Sequence, residues 1–119
     1  MNSKRREPPE IRWRAVLIGG AVALGAAAVL SYVLGAGLNT VASFAAVAAG
    51  GASAGRLAPA AGGFHGGLVA ALWIVAEALT DPLLAAASNV VADTASTLLL
   101  DVLRLAVGVG AGWIASRTR

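Results

Sequence analysis

Polar residues are confined to a few short stretches of this chain, and between them the sequence is almost continuously apolar. Residues 15–34, AVLIGGAVALGAAAVLSYVL, carry no charge over the length of a bilayer-spanning helix, which needs about 20 residues. The turn-forming GAGLN (35–39) follows, where Asn39 or Thr40 offers a side-chain cap for a second helix. That helix, LNTVASFAAVAAGGASAGR, ends at Arg56, before the loop LAPAAGG that contains Pro59. A third apolar run, FHGGLVAALWIVAEALT, stops where Asp81 and Pro82 supply the N-cap and first-position pair of a new helical start. The last run, STLLLDVLRLAVGVGAGWIA, closes just before Arg117. The pattern predicts four helices, at about 14–34, 38–56, 64–80 and 96–116. Residues 81–95 read as a weakly amphipathic segment along the outer surface; a longer helix 4 and a re-entrant dip are the alternatives.

Composition sets the class. Of 119 residues, 58% are hydrophobic and 13% are charged, and the mean hydropathy is +0.78. A soluble domain this short leaves much of its chain in water and needs far more polar surface. The expectation is an all-α integral membrane four-helix bundle in one domain, residues 13–117, preceded by a basic and partly disordered cytoplasmic tail, residues 1–12. It consists of two helical hairpins. GGAVALGAAAVL (19–30) resembles GGLVAALWIVAEAL (66–79), and AVAAGGASAGR (46–56) resembles AVGVGAGWIASR (106–117). Duplication of a hairpin and an Ala/Gly-rich composition both account for that likeness.

A sequence pI near 10.7 in a soluble protein would point to nucleic acid. The positions of the charges point elsewhere. Lys4, Arg5, Arg6, Arg12 and Arg14 precede the first apolar run, Arg56 lies between the second and third, and Arg117 and Arg119 follow the last. With four spans, these eight of nine basic residues fall on one side, whereas the outer connections carry Asp81 and Asp93 and no cation. The positive-inside rule then places both termini in the cytoplasm of a multi-pass inner-membrane protein. The first apolar run is bilayer-length, longer than the short core of a cleavable signal peptide.

Glycine carries the next signal. Gly51 and Gly55, Gly62 and Gly66, Gly63 and Gly67, and Gly108 and Gly112 are each four apart, so each pair shares a helix face. Glycine there lets a neighbouring backbone come close, which is how helices associate in lipid. Gly51, Gly55, Gly62, Gly66, Gly67, Gly108 and Gly112 are therefore the expected helix-packing residues. The order GG-x-x-AGR, a short loop and G-x-x-HGG, carried here by Gly50, Gly51, Ala54, Gly55, Arg56, Gly62 or Gly63, His65, Gly66 and Gly67, resembles a family of small uncharacterised bacterial proteins with four membrane helices. The likeness covers helices 2 to 4. It implies a fold and a membrane location, and it implies no activity.

Charges inside apolar helices are expensive and mark candidate sites. Glu77 lies near the outer end of helix 3, and Asp101 and Arg104 are three apart on one face of helix 4. Arg104 is the one cation on the outer half, so it is expected to be held by Asp101, Glu77 or both. Arg56 and His65 fall on the inner side and form a candidate rim for an anionic lipid headgroup or a phosphate. A single histidine without cysteine excludes a conventional metal site. Ser31, Ser43 and Ser53 have no base at triad-like positions, and no phosphate-binding fingerprint implies a cofactor.

No enzyme is expected, and no nucleic-acid partner. The favoured function is a structural or accessory membrane protein that forms a homo-oligomer or joins a membrane-protein partner. The alternative is a small dimeric proton-coupled transporter or ion channel using Glu77 and Asp101/Arg104. Small multidrug transporters share the length and helix number, but the glutamate of their first helix has no counterpart between Ala15 and Leu34. The threonine-, serine- and phenylalanine-rich motif of small fluoride channels is missing from helix 3 as well.

Overall fold

The computed structural model describes residues 8–88 and 94–118. Within them the chain forms four α-helices and no strand: α1 (Trp13–Leu34), α2 (Asn39–Leu57), α3 (Gly62–Ser88) and α4 (Thr94–Arg117). Single 3₁₀ turns, Ala36–Leu38 and Pro59–Ala61, join α1 to α2 and α2 to α3. Gly35 ends α1 with φ 76°, a conformation that side-chain-bearing residues rarely adopt, and its N–H donates to the Ser31 carbonyl at 3.0 Å. The tight turn expected at 35–39 rests on that residue.

The helices run alternately up and down. Each of α2 and α3 touches the other three helices, whereas α1 and α4 share no contact among the described residues. The cross-section is thus a rhombus, with α2 and α3 on its short diagonal. This explains why α2 is the helix richest in small residues. Ala42, Ser43, Ala46, Val47, Gly50, Gly51, Ala54 and Gly55 are all buried along its 19 residues. A helix surrounded on three sides needs short side chains to let its neighbours in.

Large apolar side chains face outward instead. Leu17, Leu24, Val29 and Val33 on α1, Leu72, Val75 and Leu79 on α3, and Leu98, Leu99 and Val102 on α4 are all exposed. The core beneath them is made of small units such as Val16, Ala23, Ala54 and Val69. An exposed apolar exterior over a core of small residues is the reverse of a soluble domain. Among the described residues, three segments of 22 residues each, Trp13–Leu34, Pro59–Thr80 and Ser96–Arg117, are long and apolar enough to cross a membrane. α2 is the helix not among them. Its burial, rather than lipophilicity, sets its composition.

One boundary differs from the expectation. The third helix was expected to stop at residue 80, with Asp81 and Pro82 opening a separate surface segment over 81–95. α3 instead continues through both to Ser88, and α4 begins at Thr94. Proline removes one backbone donor from a helix, and that alone does not end it where the surrounding hydrogen bonds hold. In the turn before Pro82 the Thr80 hydroxyl donates to the Ala76 carbonyl. The central part of the expected surface segment, residues 89–93, lies outside the described residues.

Candidate functional site

α1 starts, α2 ends, α3 starts and α4 ends at one end of the molecule, and this end carries Arg12, Arg14, Arg56 and Arg117. The other charged group, around Arg104, lies towards the opposite end. The two ends are built differently.

Arg104 projects from α4 and is only 7% exposed. Its Nη1 donates to Glu77 Oε2 on α3 at 2.5 Å and to Asp101 Oδ1, one turn back on α4, at 3.2 Å. Its Nε and Nη2 donate to Ser43 Oγ on α2 at 3.3 and 3.1 Å. Ser43 in turn donates its own proton to the Thr40 carbonyl at 2.8 Å. The Phe44 ring centroid lies 5.7 Å from the guanidinium carbon, within cation–π range. One planar cation therefore ties three helices together through charge-assisted hydrogen bonds, two of its partners being carboxylates. The structure brings Glu77, Asp101 and Arg104 together, one cation facing two carboxylates. The carboxylates are partly open to a cavity of about 170 Å³ lined by Ile74, Ala78, Thr97 and Leu100 besides the charged groups.

Sequence reasoning missed the α2 side of this cluster. In the sequence Ser43 stands out only as a hydroxyl without a nearby base. α2 and α4 run in the same direction, so a hydroxyl in the first turns of α2 arrives at the level of Arg104. A lone polar residue beside a helix–helix contact was the available signal.

All the expected packing glycines except Gly67 lie at backbone-to-backbone contacts. A methyl group on Gly51 would sit 2.8 Å from the Gly108 carbonyl oxygen, and one on Gly55 would overlap the Gly112 carbonyl. The numbers rise together along α2 and α4, as they must for parallel helices. On α3, Gly66 meets Gly108, and Gly62 meets Gly112 and Ser116 in the antiparallel sense. Gly108 and Gly112 are thus shared by two neighbours. Gly67 is less constrained, because an added carbon would meet only the Val109 Cγ2 methyl, at 2.9 Å. A further contact was not anticipated: a methyl on Gly19 of α1 would lie 2.7 Å from the Gly50 carbonyl oxygen. The signal was the small-residue spacing of Ala15, Gly19 and Ala23 against Ala46, Gly50 and Ala54, four apart in each helix.

Arg56 and His65 do not form a joint rim. His65 is 1% exposed. Its Nε2 accepts the Arg12 backbone N–H at 3.0 Å, and its Nδ1 lies 2.9 Å from the Ala61 carbonyl oxygen. Because Nε2 is the acceptor, the proton sits on Nδ1 and is donated to Ala61. Both ring nitrogens are occupied, so the ring has nothing to offer an anion; it fastens the start of α1 to the first turn of α3. Arg56 is exposed on the other side of the loop, against the end of α4. No group of three or more metal-ligating side chains occurs among the described residues. No family model matches the chain, and no curated protein or solved structure matches it either.

Proposed function

We propose that the protein is a four-span membrane bundle with both termini on the cytoplasmic face of the inner membrane, and that its role is structural: it associates with itself or with a membrane-protein partner. The observation that carries this reading is the Arg104 cluster. Its ionisable groups within the apolar helices are engaged with one another across α3 and α4, and Arg104 also reaches the Ser43 hydroxyl on α2. The glycine contacts add to it, because they leave the helices closely packed side by side. Four spans follow if α2 crosses too. Its 19 residues reach about 28 Å, close to the hydrocarbon thickness of about 30 Å.

The alternative, a small dimeric proton-coupled transporter or ion channel, draws on the cavity beside Glu77 and Asp101. One experiment separates the two. The chain is reconstituted in liposomes loaded with a pH- or ion-sensitive dye, as wild type and as Glu77→Gln and Asp101→Asn. The structural reading expects flux no greater than in empty liposomes for all three. Flux in the wild type that either substitution abolishes would establish the transporter reading in its place.

A further inference from the structure

The four arginines of the basic end have no carboxylate partner among the described residues, in contrast to Arg104 at the other end. One of them lies in a cleft. Between the last turns of α2 and α4 is an opening of about 400 Å³, lined by Arg56, Pro59, Ala115, Ser116 and Thr118. Close to it, Gly55 packs against Gly112 and Gly62 against Ser116, so the ends of α2, α3 and α4 are in tight contact there. Ser116 donates its hydroxyl proton to the Trp113 carbonyl at 2.7 Å, and Thr118 donates to the Ile114 or Ala115 carbonyl. Their protons are spent on α4 itself, which leaves the Arg56 guanidinium as the strong donor in the wall. Arg117, between them in sequence, stacks on Trp113 at 3.9 Å from the ring centroid. Trp113 is half exposed, as are Leu57 and Ile114 in the turns that flank the cleft.

We infer that this cleft binds the phosphate of an anionic membrane phospholipid, with Arg56 as its direct partner, Arg117 as a flanking charge, and the acyl chains lying along Leu57 and Ile114. The inference rests on the membrane reading above. A free phosphate would use the guanidinium alone, whereas a lipid also uses the apolar surface and the interfacial tryptophan that border it. His65 has no part in it.

The test uses the full chain in neutral detergent at fixed ionic strength. Phosphatidylglycerol, phosphatidylcholine and inorganic phosphate are titrated separately, with brominated lipids as quenchers of tryptophan fluorescence. Phosphatidylglycerol is expected to bind in preference to phosphatidylcholine, and Arg56→Gln to weaken it roughly fivefold. Arg14→Gln, on the far flank of the rhombus, is expected to weaken it by about twofold or less, because the intervening distance is screened. Arg56 is exposed, so helicity by circular dichroism should be unchanged in its variant. Equal losses for Arg56→Gln and Arg14→Gln would replace the cleft with a diffuse basic surface and overturn the assignment. Inorganic phosphate displacing the lipid at comparable concentration would overturn it too. Release of the protein from membranes by alkaline carbonate without detergent would instead refute the membrane reading itself, a result distinct from either.

Discussion

Arg104 offers five N–H donors in a fixed plane, and the fold uses both edges of that plane: Glu77 and Asp101 on one, Ser43 on the other. Three substitutions should therefore rank in cost. Arg104→Ala leaves two carboxylates close together without a cation and should cost about 3–5 kcal/mol. Ser43→Ala removes a neutral acceptor and should cost about 1 kcal/mol. Arg104→Lys keeps the charge, but a point ammonium cannot reach all three partners, so it should fall between them. Thermal or chemical unfolding of the detergent-solubilised variants reads the order, and equal effects for Arg104→Lys and wild type would show that only the charge matters. His65 is the comparable residue at the other end. His65→Ala strands the Arg12 N–H, which has the ring Nε2 as its acceptor, and should cost about 1–3 kcal/mol in the same assay.

At the scale of the helices, glycine has two unlike uses. Gly51, Gly55, Gly66, Gly108 and Gly112 stand where a neighbouring backbone occupies the space of a side chain, whereas Gly20, Gly25 and Gly110 have nothing within 4 Å of that space. Gly112→Ala, with the Gly62 carbonyl and the Gly66 Cα in the way, should force α3 and α4 apart and lower the melting temperature. Gly110→Ala, two residues away, should leave it unchanged or raise it, since alanine favours a helix over glycine by about 1 kcal/mol. A similar fall for both would mean that the glycines act through helix propensity and not through contact. The four-residue spacing exposed most of this in the sequence, because it depends only on helix geometry. The spacing did not say which partner each glycine meets. That choice comes from the rhombic arrangement, which no local pattern encodes, and for the same reason Gly19 against Gly50 and Ser43 against Arg104 went unseen. The extension of α3 past Pro82 was missed differently: the Asp-Pro pair is a sound start signal locally, and the helix already in progress overrode it.

For the molecule as a whole, the arrangement sorts its charge by end. Among the described residues, the arginines without acidic partners gather where α2 and α4 finish, and the paired Arg104 sits towards the opposite end with both of its acids. The sequence showed this sorting once the runs were read as helices, because alternating direction alone brings residues 12–14, 56 and 117 to one level. What the sorting means depends on whether α2 crosses the bilayer, since it is the helix whose small buried residues keep it outside the set of apolar spans. The chain contains no cysteine, so a single introduced cysteine reports its own location without ambiguity. Gly37→Cys, Ala60→Cys and Thr118→Cys, probed in intact cells with a membrane-impermeant maleimide, decide the matter directly. The four-span account predicts that Gly37→Cys labels from outside, and that Ala60→Cys and Thr118→Cys label only after the membrane is opened. Labelling of Gly37→Cys and Ala60→Cys from the same side would show that α2 does not cross, and would contradict it.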